Sequence, residues 1–491
     1  MEKFFKLKQY GTNVRTEITA GITTFFAMAY IIFVNPQVLS NTGMDPQGVF
    51  VATIIASAVG TLVMALFANV PYALAPGMGL NAFFTFTVCG VMGFKWQQAL
   101  AMVLICGLVN IVITVTGLRK AIIKSLPKVL QSAIGGGIGL FIAYIGIKDG
   151  GLLKFTCDPG TYTKFDSGTV VTNASAVPAL VNLSDRSVQL VLFGIAIIVV
   201  LMVLKVKGSI LIGILSTTAI ALIEIACGVN PHVFFPSLGK SINTAGAFFS
   251  TISISPSAIG SSISHISNTA FKLDFVGLFE NPAKTLLAFT AIIGFVLTDI
   301  FDALGTFIGT GRRSGIFDEK DQKLLLEGKG IKSRMDRALF ADLFATITGA
   351  FVGTSNTTTF VESSAGIAEG GRTGLTSVVT AILFVLCLVL SPIVGVIPSC
   401  ATAPALIVVG MLMMAAVADI DWHNFEDAAV AFITVAMMPF AYSITTGISF
   451  GFILFVLLKV IRGKAKDVHP IMYVATLLFI LNYVLLALNS L

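Results

Sequence analysis

The feature that most constrains this chain is its succession of long apolar runs. A run of about 17–25 residues matches a helix that crosses the hydrocarbon core of a bilayer. Hydrophobic residues make up 56% of the chain and charged residues 11%, whereas soluble domains carry about 25% charged residues. The sequence therefore predicts an all-α polytopic membrane protein with about fourteen transmembrane helices. We place them near residues 18–39, 49–69, 73–90, 97–117, 127–147, 188–204, 209–228, 284–310, 338–353, 357–370, 374–396, 400–418, 427–442 and 446–461.

The positive charges indicate how the chain enters the membrane. With a cytoplasmic N-terminus, 23 of the 31 Lys and Arg residues fall in cytoplasmic segments. Cytoplasmic loops of membrane proteins carry such an excess. We therefore expect a multi-pass protein of the cell (plasma) membrane, surrounded by lipid, with a cytoplasmic N-terminus and no cleavable signal peptide. This topology accounts for the net charge of +6, and we expect no nucleic-acid partner.

Two matched stretches indicate an internal repeat. Residues 125–149 align with residues 396–420, which brings Pro127 over Pro398 and Gly139 over Gly410. Each half then holds about seven spans, and because seven is odd, the second copy enters the membrane from the opposite side. This 7+7 inverted repeat is common in transporters that hold their substrate near the midplane.

The third span of each half is interrupted. VPYALAPGMGLNAFFTF (70–86) contains prolines and glycines that forbid a continuous helix, and GTSNTTTFVESSAGIAEGGRTG (353–374) favours an extended segment followed by a helix. Backbone that is not helical cannot face lipid, because its N–H and C=O groups would lack partners. We expect broken spans 3 and 10, each a short extended piece that leads into a half-helix whose N-terminus points at a midplane ligand. A purely structural re-entrant turn is the alternative.

Acidic residues lie where the membrane interior is expected. FVLTDIFDALGTFIGTG (295–311) contains Asp299 and Asp302, which are three residues apart and share a helix face. Glu362 lies in the interrupted segment of the same half. Carboxylates inside a bilayer are costly and mark functional sites, and three coupled acids suit proton binding and release. A structural role for the Asp pair, such as capping broken helices, stays open.

Other motifs predict less specific features. The run GGGIG (135–139) is typical of close helix packing by small residues, and we expect it to give a smooth face on which one part of the protein slides. The six cysteines show no metal-ligand spacing, so we expect neither disulfides nor a metal site. The GxG of PGMGLN lacks a third glycine, and we expect no cofactor.

Four stretches together carry a family resemblance: TEITAGITTFFAMAYIIFVNP (16–36), ALAPGMGLNAFF (73–84), LTDIFDALGTFIG (297–309) and GTSNTTTFVESSAGIAEGGRTGLTS (353–377). The chain resembles the nucleobase–cation symporters of the uracil/xanthine permease fold, in particular the adenine–guanine–hypoxanthine permease branch. The resemblance implies proton-coupled purine uptake by alternating access and no enzymatic activity. It also implies a core domain of spans 1–4 (18–117) and 8–11 (284–396), and a gate domain of spans 5–7 (127–228) and 12–14 (400–461). The extra run 470–490 either spans the membrane or lies at its interface.

The resemblance also implies site residues. By motif position, the polar residues that bind substrate between spans 3 and 10, beside span 8, correspond to Asn81, Asp299, Asp302 and Glu362. A carboxylate accepts N–H groups on the edge of a purine base, and Asn81 offers both a donor and an acceptor. We expect Asp299 to serve the base and Asp302 chiefly the proton. Candidates for contact with the ring face are Phe83, Phe360 and Tyr30.

Three other functions stay open: a symporter of the same fold for xanthine or uracil, a channel, and a membrane enzyme. An anion substrate would need basic residues at the site. The order of preference among purines, the proton stoichiometry and any homodimer are not fixed by the sequence.

Overall fold

The computed structural model describes residues 2–116, 127–156, 162–165, 168–171, 177–235, 244–249, 256–280, 282–314, 316, 333–390 and 397–489. These residues are mostly helical. Eight helical stretches among them are long and apolar enough to cross a membrane, and three shorter helices are also apolar. The expectation of a helical, multi-pass membrane protein is confirmed at this level, while the count of fourteen spans stays a prediction.

Among the described residues, the first half of the chain has eight principal helices, and a short strand lies between the third and the fourth. They are α1 (Val14–Met28), α2 (Ile31–Ser40), α3 (Pro46–Val63, continued by the π-helical turn Met64–Ala68), β1 (Leu74–Pro76), α4 (Met78–Ala82, continued by the π-helical stretch Phe83–Val91), α5 (Trp96–Thr116), α6 (Lys128–Asp149), α7 (Arg186–Val203) and α8 (Ser209–Ala226).

The second half repeats the order of a helix pair, a short strand and further helices. Its elements are α9 (Pro282–Ser314), α10 (Arg334–Val352), β6 (Thr357–Thr359), α11 (Ser363–Ala368), α12 (Gly374–Leu386), α13 (Ser399–Met413, continued by the 3₁₀ turn Met414–Asp419), α14 (Phe425–Phe440), α15 (Ile444–Ile461) and α16 (Pro470–Asn489). Short helices outside these elements are Glu2–Phe5, Leu7–Tyr10, Pro231–Val233, Ala245–Phe249, Pro256–Ser264, His265–Asn268, Val276–Leu278 and Ala465–Asp467.

Four strands lie between α6 and α7, and the sequence analysis did not predict them. They form two antiparallel pairs, β2 (Leu153–Thr156) with β5 (Val177–Leu180) and β3 (Tyr162–Phe165) with β4 (Gly168–Val171). Aromatic and β-branched residues are common in these segments and favour strands. The expectation of an all-α chain is therefore wrong for this connection.

The residues divide into two compact units. One comprises Met1–Ile142, Ser253–Gly395 and Gly410–Leu491, and the other comprises Ala143–Ile252 and Val396–Val409. In the smaller unit, helices approach closely at glycines: a Cβ on Gly194 would lie 2.7 Å from Cγ of Pro404. The predicted division into core and gate domains stays a prediction.

The glycine run of α6 packs closely against other helices, as the sequence predicted. A Cβ on Gly137 would lie 2.6 Å from Sδ of Met438 in α14, and one on Gly139 would lie 2.7 Å from the carbonyl oxygen of Gly410 in α13. These helices belong to the same predicted gate domain as α6. The glycines of the run thus pack against α13 and α14, as small residues do. Ile138 of the same run faces α4, because a Cβ on Gly79 would lie 2.7 Å from Ile138 Cγ2. The expectation of a sliding face stays a prediction.

The last helix, α16, covers the terminal apolar run and packs against α15. The hydroxyls of Ser449 and Tyr483 are 2.5 Å apart, and the rings of Phe452 and Phe479 meet edge to face with centroids 5.8 Å apart. Phe479 is buried. The run is thus a continuous helix, and whether it spans the membrane stays open.

Helices α3 and α10 cross at small residues. A Cβ on Gly60 would lie 2.5 Å from Cβ of Ala345, which is closer than carbon atoms approach without displacement. Both residues are buried. This crossing brings two helices close enough for their side chains to reach the strands beside them.

We predict that Gly60→Leu lowers the stability of the protein, because overpacking a close-packed interior costs about 1–3 kcal/mol. The measurement is the thermal unfolding midpoint of detergent-purified protein. Gly260→Leu is the matched control, because a Cβ on that glycine would meet no atom within 4 Å. Equal midpoints for the two variants would contradict the tight crossing.

Candidate functional site

The two extended pieces meet and form a two-stranded antiparallel sheet. Leu74 pairs with Thr359, Ala75 with Thr358 and Pro76 with Thr357, and all six residues are buried. Pro71 and Pro76 prevent a helix here, and pairing satisfies backbone groups that lipid could not. Because the strands are antiparallel, α4 starts beyond the Pro76–Thr357 end of the sheet and α11 starts beyond its Leu74–Thr359 end. The remaining site residues lie around the sheet.

Asp299 on α9 is fully buried, with no exposed surface. Asn110 of α5 donates its Nδ2–H to Asp299 Oδ2 at 2.9 Å, and Asn356 donates to Oδ1 at 3.4 Å. Asn356 Nδ2 is also 3.5 Å from the Cys106 sulfur. Two amides, one from α5 and one from the segment directly before β6, thus hold this carboxylate, as a buried charge requires.

Asp302 lies one turn further along α9 and is partly exposed. Thr358 of β6 donates its hydroxyl to Asp302 Oδ2 at 3.2 Å. Gly77 faces the same place, since a Cβ there would lie 2.6 Å from Thr358 Oγ1 and 3.7 Å from Asp302 Oδ2. A side chain at Gly77 would therefore displace the Thr358 hydroxyl that donates to this carboxylate.

Glu362 follows β6 directly before α11 and is partly exposed. The phenol of Tyr30 donates to Glu362 Oε1 at 2.7 Å. The Tyr30 ring lies 6.5 Å from the ring of Phe360, centroid to centroid. Tyr30 and Phe360 are both largely buried, so they form a packed wall next to Glu362, while Oε2 of Glu362 is not used by Tyr30.

Asn81 and Phe83 on α4 and its continuation are buried. Ser355 donates its hydroxyl to Asn81 Oδ1, and Asn81 Nδ2 is 3.7 Å from the sulfur of Met78. The ring of Phe83 meets that of Phe295 edge to face with centroids 4.6 Å apart. Both side chains thus have partners within the protein, and Phe83 packs toward α9.

Sequence reasoning missed several polar residues around the sheet. Asn110 and Asn356 hold Asp299, Thr358 contacts Asp302, and Asp342 of α10 accepts from the backbone N–H and the hydroxyl of Thr359, both at 2.7 Å. Asp342 has no exposed surface. The signal that identified Asp299, a polar residue in an apolar run, also applies to Asn110 and Asp342.

The arrangement can bind a flat, neutral molecule that carries N–H groups on its edge. Asp302 and Glu362 are partly exposed acceptors, and aromatic rings lie beside Glu362. Within the described ranges, no group of three or more His, Cys, Asp and Glu side chains could hold a metal ion.

Comparison with known proteins identifies the family. A family model described as the Permease family matches residues 15–450. The chain belongs to this permease family. Adenine permease AdeP of Escherichia coli is 37% identical over 484 residues, which cover 99% of this chain and 96% of AdeP. Guanine/hypoxanthine permease PbuG of Bacillus subtilis is 38% identical over 495 residues, which cover 99% of this chain and 100% of PbuG.

Solved structures support the fold. The transmembrane domain of the cyanobacterial bicarbonate transporter BicA matches with a TM-score of 0.57, at 15% identity, over 88% of this permease and 97% of that domain. At this identity the match bears on the fold alone. The permease thus shares a transporter fold, and its chemistry must be argued from its own site.

We predict that Asn110→Leu destabilises the permease by about 1–3 kcal/mol, because it removes a donor from the buried carboxylate of Asp299. The measurement is thermal unfolding in detergent. Val112→Leu, at an exposed position of the same helix, is the control and should leave the midpoint near that of the native protein. An unchanged midpoint for Asn110→Leu would show that the amide does not stabilise Asp299.

Proposed function

We propose that this permease takes up purine nucleobases, namely hypoxanthine, guanine and adenine. The observation that carries the proposal is the pair of partly exposed carboxylates, Asp302 and Glu362, which lie beside the sheet that joins the two broken segments. The names of its relatives AdeP and PbuG, which match over nearly the whole chain, agree with such a substrate.

The proposal includes the finer architecture. Fourteen spans form a 7+7 inverted repeat, with a core domain of spans 1–4 and 8–11 and a gate domain of spans 5–7 and 12–14. The strand and short helix present in both halves support this repeat. We further propose proton symport by alternating access in the plasma membrane, with a cytoplasmic N-terminus. The distribution of Lys and Arg supports this orientation.

Hydrogen bonding explains why a purine fits. A carboxylate accepts N–H groups of the base in charge-assisted bonds. Tyr30 occupies Oε1 of Glu362 and orients the group, which leaves the other oxygen for the base. Phe360 and Tyr30 form the apolar wall beside it. Asn81 accepts from Ser355 and acts by holding the start of α4 against the segment that precedes β6.

The geometry supports a division of roles opposite to the one expected from the sequence. Asp299 has no exposed surface, and amides reach both of its oxygens, whereas Asp302 is partly exposed and faces Thr358 and Gly77. We therefore assign Asp302, together with Glu362, to the base and Asp299 to the proton. A proton on Asp299 would turn one of its oxygens into a donor, and that oxygen would then accept less well from the Nδ2–H of Asn110 or Asn356.

The experiment that tests the function is uptake of radiolabelled hypoxanthine into proteoliposomes, with unlabelled bases as competitors. Guanine and adenine should compete, whereas uracil and xanthine should not. Competition by xanthine or uracil alone would favour a symporter of the same fold with another substrate. Flux that does not saturate with substrate would favour a channel.

We predict that Glu362→Gln weakens hypoxanthine binding roughly ten- to a hundredfold. The amide replaces an acceptor oxygen with a donor that faces the N–H groups of the base, and loss of a bond to a charged group costs about 1.5–3 kcal/mol. Calorimetry on purified protein measures the effect. Glu369→Gln, at an exposed position after α11, is the control, and unchanged affinity in Glu362→Gln would remove Glu362 from the site.

A second prediction separates binding from coupling. Asp302→Asn should weaken equilibrium binding of hypoxanthine about tenfold or more, because it removes a charged acceptor. Asp299→Asn should bind with nearly native affinity but accumulate little substrate when a pH gradient is imposed on proteoliposomes. Nearly native binding in Asp302→Asn together with lost binding in Asp299→Asn would restore the division expected from the sequence.

A further inference from the structure

The outer edges of the two-stranded sheet are closed by side chains from two crossing helices. On the β1 edge, the hydroxyl of Thr61 in α3 accepts from the backbone N–H of Leu74 at 2.9 Å and lies 3.2 Å from its carbonyl oxygen. On the β6 edge, Thr346 of α10 donates to the carbonyl oxygen of Thr357 at 3.1 Å. Each helix thus replaces the neighbouring strand that a membrane cannot supply.

The two edges differ in one respect. A neutral hydroxyl bonds to Leu74 at the start of β1, whereas a carboxylate bonds to Thr359 at the end of β6. Asp342 Oδ1 accepts both the backbone N–H and the side-chain hydroxyl of Thr359, each at 2.7 Å. Asp342 has no exposed surface, and Thr359 is almost entirely buried. A charged acceptor makes stronger hydrogen bonds than a neutral one. The outer edge of β6 is therefore held by stronger bonds than the outer edge of β1.

We propose that Asp342 is a positioning residue for the substrate-binding carboxylates, an inference that rests on the proposed function of the site. Successive N–H groups at the end of β6 point in opposite directions. That of Thr359 points to Asp342, and that of Phe360 donates to the carbonyl oxygen of Ala73 at 3.0 Å. The chain just before Glu362 is therefore bonded to α10 on one side and to the segment before β1 on the other.

The positions of two residues of the proposed site depend on the bonds between Asp342 and Thr359. Thr358, which contacts Asp302, precedes Thr359 directly, and Glu362 follows it by three residues. If the bonds of Asp342 are lost, the segment from Thr358 to Glu362 keeps its bonds to β1 but gains freedom on the other side. A misplacement of about 1 Å at a binding group is enough to weaken recognition strongly. Asp342 thus acts on the base through Thr359 and not by contact.

A second buried carboxylate offers a matched comparison. Glu17 of α1 has no exposed surface and accepts from the backbone N–H of Thr376 at 3.1 Å and from its hydroxyl at 2.6 Å. Glu17 also accepts from the backbone N–H groups of Arg372 at 2.9 Å and Thr373 at 3.4 Å. A buried carboxylate that accepts both the N–H and the hydroxyl of one threonine therefore also occurs at the start of α12, which follows α11 in the chain. If Asp342 contributed only to stability, loss of the threonine hydroxyl at Asp342 and at Glu17 would have the same effect on hypoxanthine affinity.

The test compares Thr359→Val with Thr376→Val, each of which removes one hydroxyl donor from a buried carboxylate. We expect similar losses of thermal stability. Hypoxanthine affinity should fall about tenfold in Thr359→Val, consistent with the loss of a bond to a charged group, and should change by less than about twofold in Thr376→Val. Equal affinities in the two variants would overturn the proposal.

Two substitutions of Asp342 itself test whether a neutral acceptor restores substrate binding. Asp342→Ala removes the acceptor and should weaken binding at least as much as Thr359→Val. Asp342→Asn keeps a carbonyl oxygen that can accept both bonds and should restore most of the affinity. A loss in Asp342→Asn as large as that in Asp342→Ala would contradict a positioning role and indicate that the charge itself is used.

Hydrogen–deuterium exchange decides the inference without any substrate. In Asp342→Ala and Thr359→Val, peptides that cover residues 354–362 should exchange faster than in the native protein, while peptides from α12 should not. Unchanged exchange in 354–362 would overturn the proposal. Absence of hypoxanthine binding by the native protein would instead refute the proposed function, and the exchange result would still decide whether Asp342 fixes β6.

Discussion

The structure of this permease depends on pairing every backbone group where the chain crosses the membrane without being helical. Each unpaired N–H or C=O group in hydrocarbon costs several kcal/mol. The permease meets this requirement by pairing β1 with β6 and by closing the outer edges with Thr61, Asp342 and Thr346. The close crossing at Gly60 and Ala345 brings those side chains within reach. A site with two half-helices is a consequence of this pairing.

The same requirement governs the acidic residues. A carboxylate in the membrane interior must be hydrogen-bonded or must face a polar ligand. Asp299 and Asp342 are held by amides, a hydroxyl and backbone groups, and they have no exposed surface. Asp302 and Glu362 each accept from one hydroxyl and are partly exposed. The four acids thus separate into two that are fully enclosed by protein and two that are partly exposed and, in the proposed function, face the substrate.

Local chemistry in the sequence was enough to predict some of this arrangement. Pro71 and Pro76 excluded a helix, the run of threonines at 357–359 favoured a strand, and the two aspartates on one face of α9 marked the site. Each of these inferences used residues close together in the chain. The positions of β1 and β6 agree with the extended pieces expected in the interrupted segments.

Other features depend on partners distant in sequence, and the sequence could not supply them. Asn110 contacts Asp299 across 189 positions, and nothing in α5 itself indicates that partner. The glycines at 135–139 revealed a close packing face, but their contacts with α13 and α14 follow from the tertiary fold. The strands between α6 and α7 were missed because segments of four residues carry a weaker signal than long apolar runs.

The two halves share an order of elements but differ in chemistry around the sheet. Around the sheet the first half contributes the donors Tyr30 and Asn110, whereas the second contributes the acceptors Asp299, Asp302, Asp342 and Glu362. An inverted repeat alone would give two equivalent half-sites. Because the carboxylates around the sheet all lie in the second half, the proposed site would bind a base in one preferred orientation, with its N–H edge toward α9 and α11. In the proposed inverted repeat, symmetry would provide the two half-helices, and the unequal distribution of charge would set the orientation of the base.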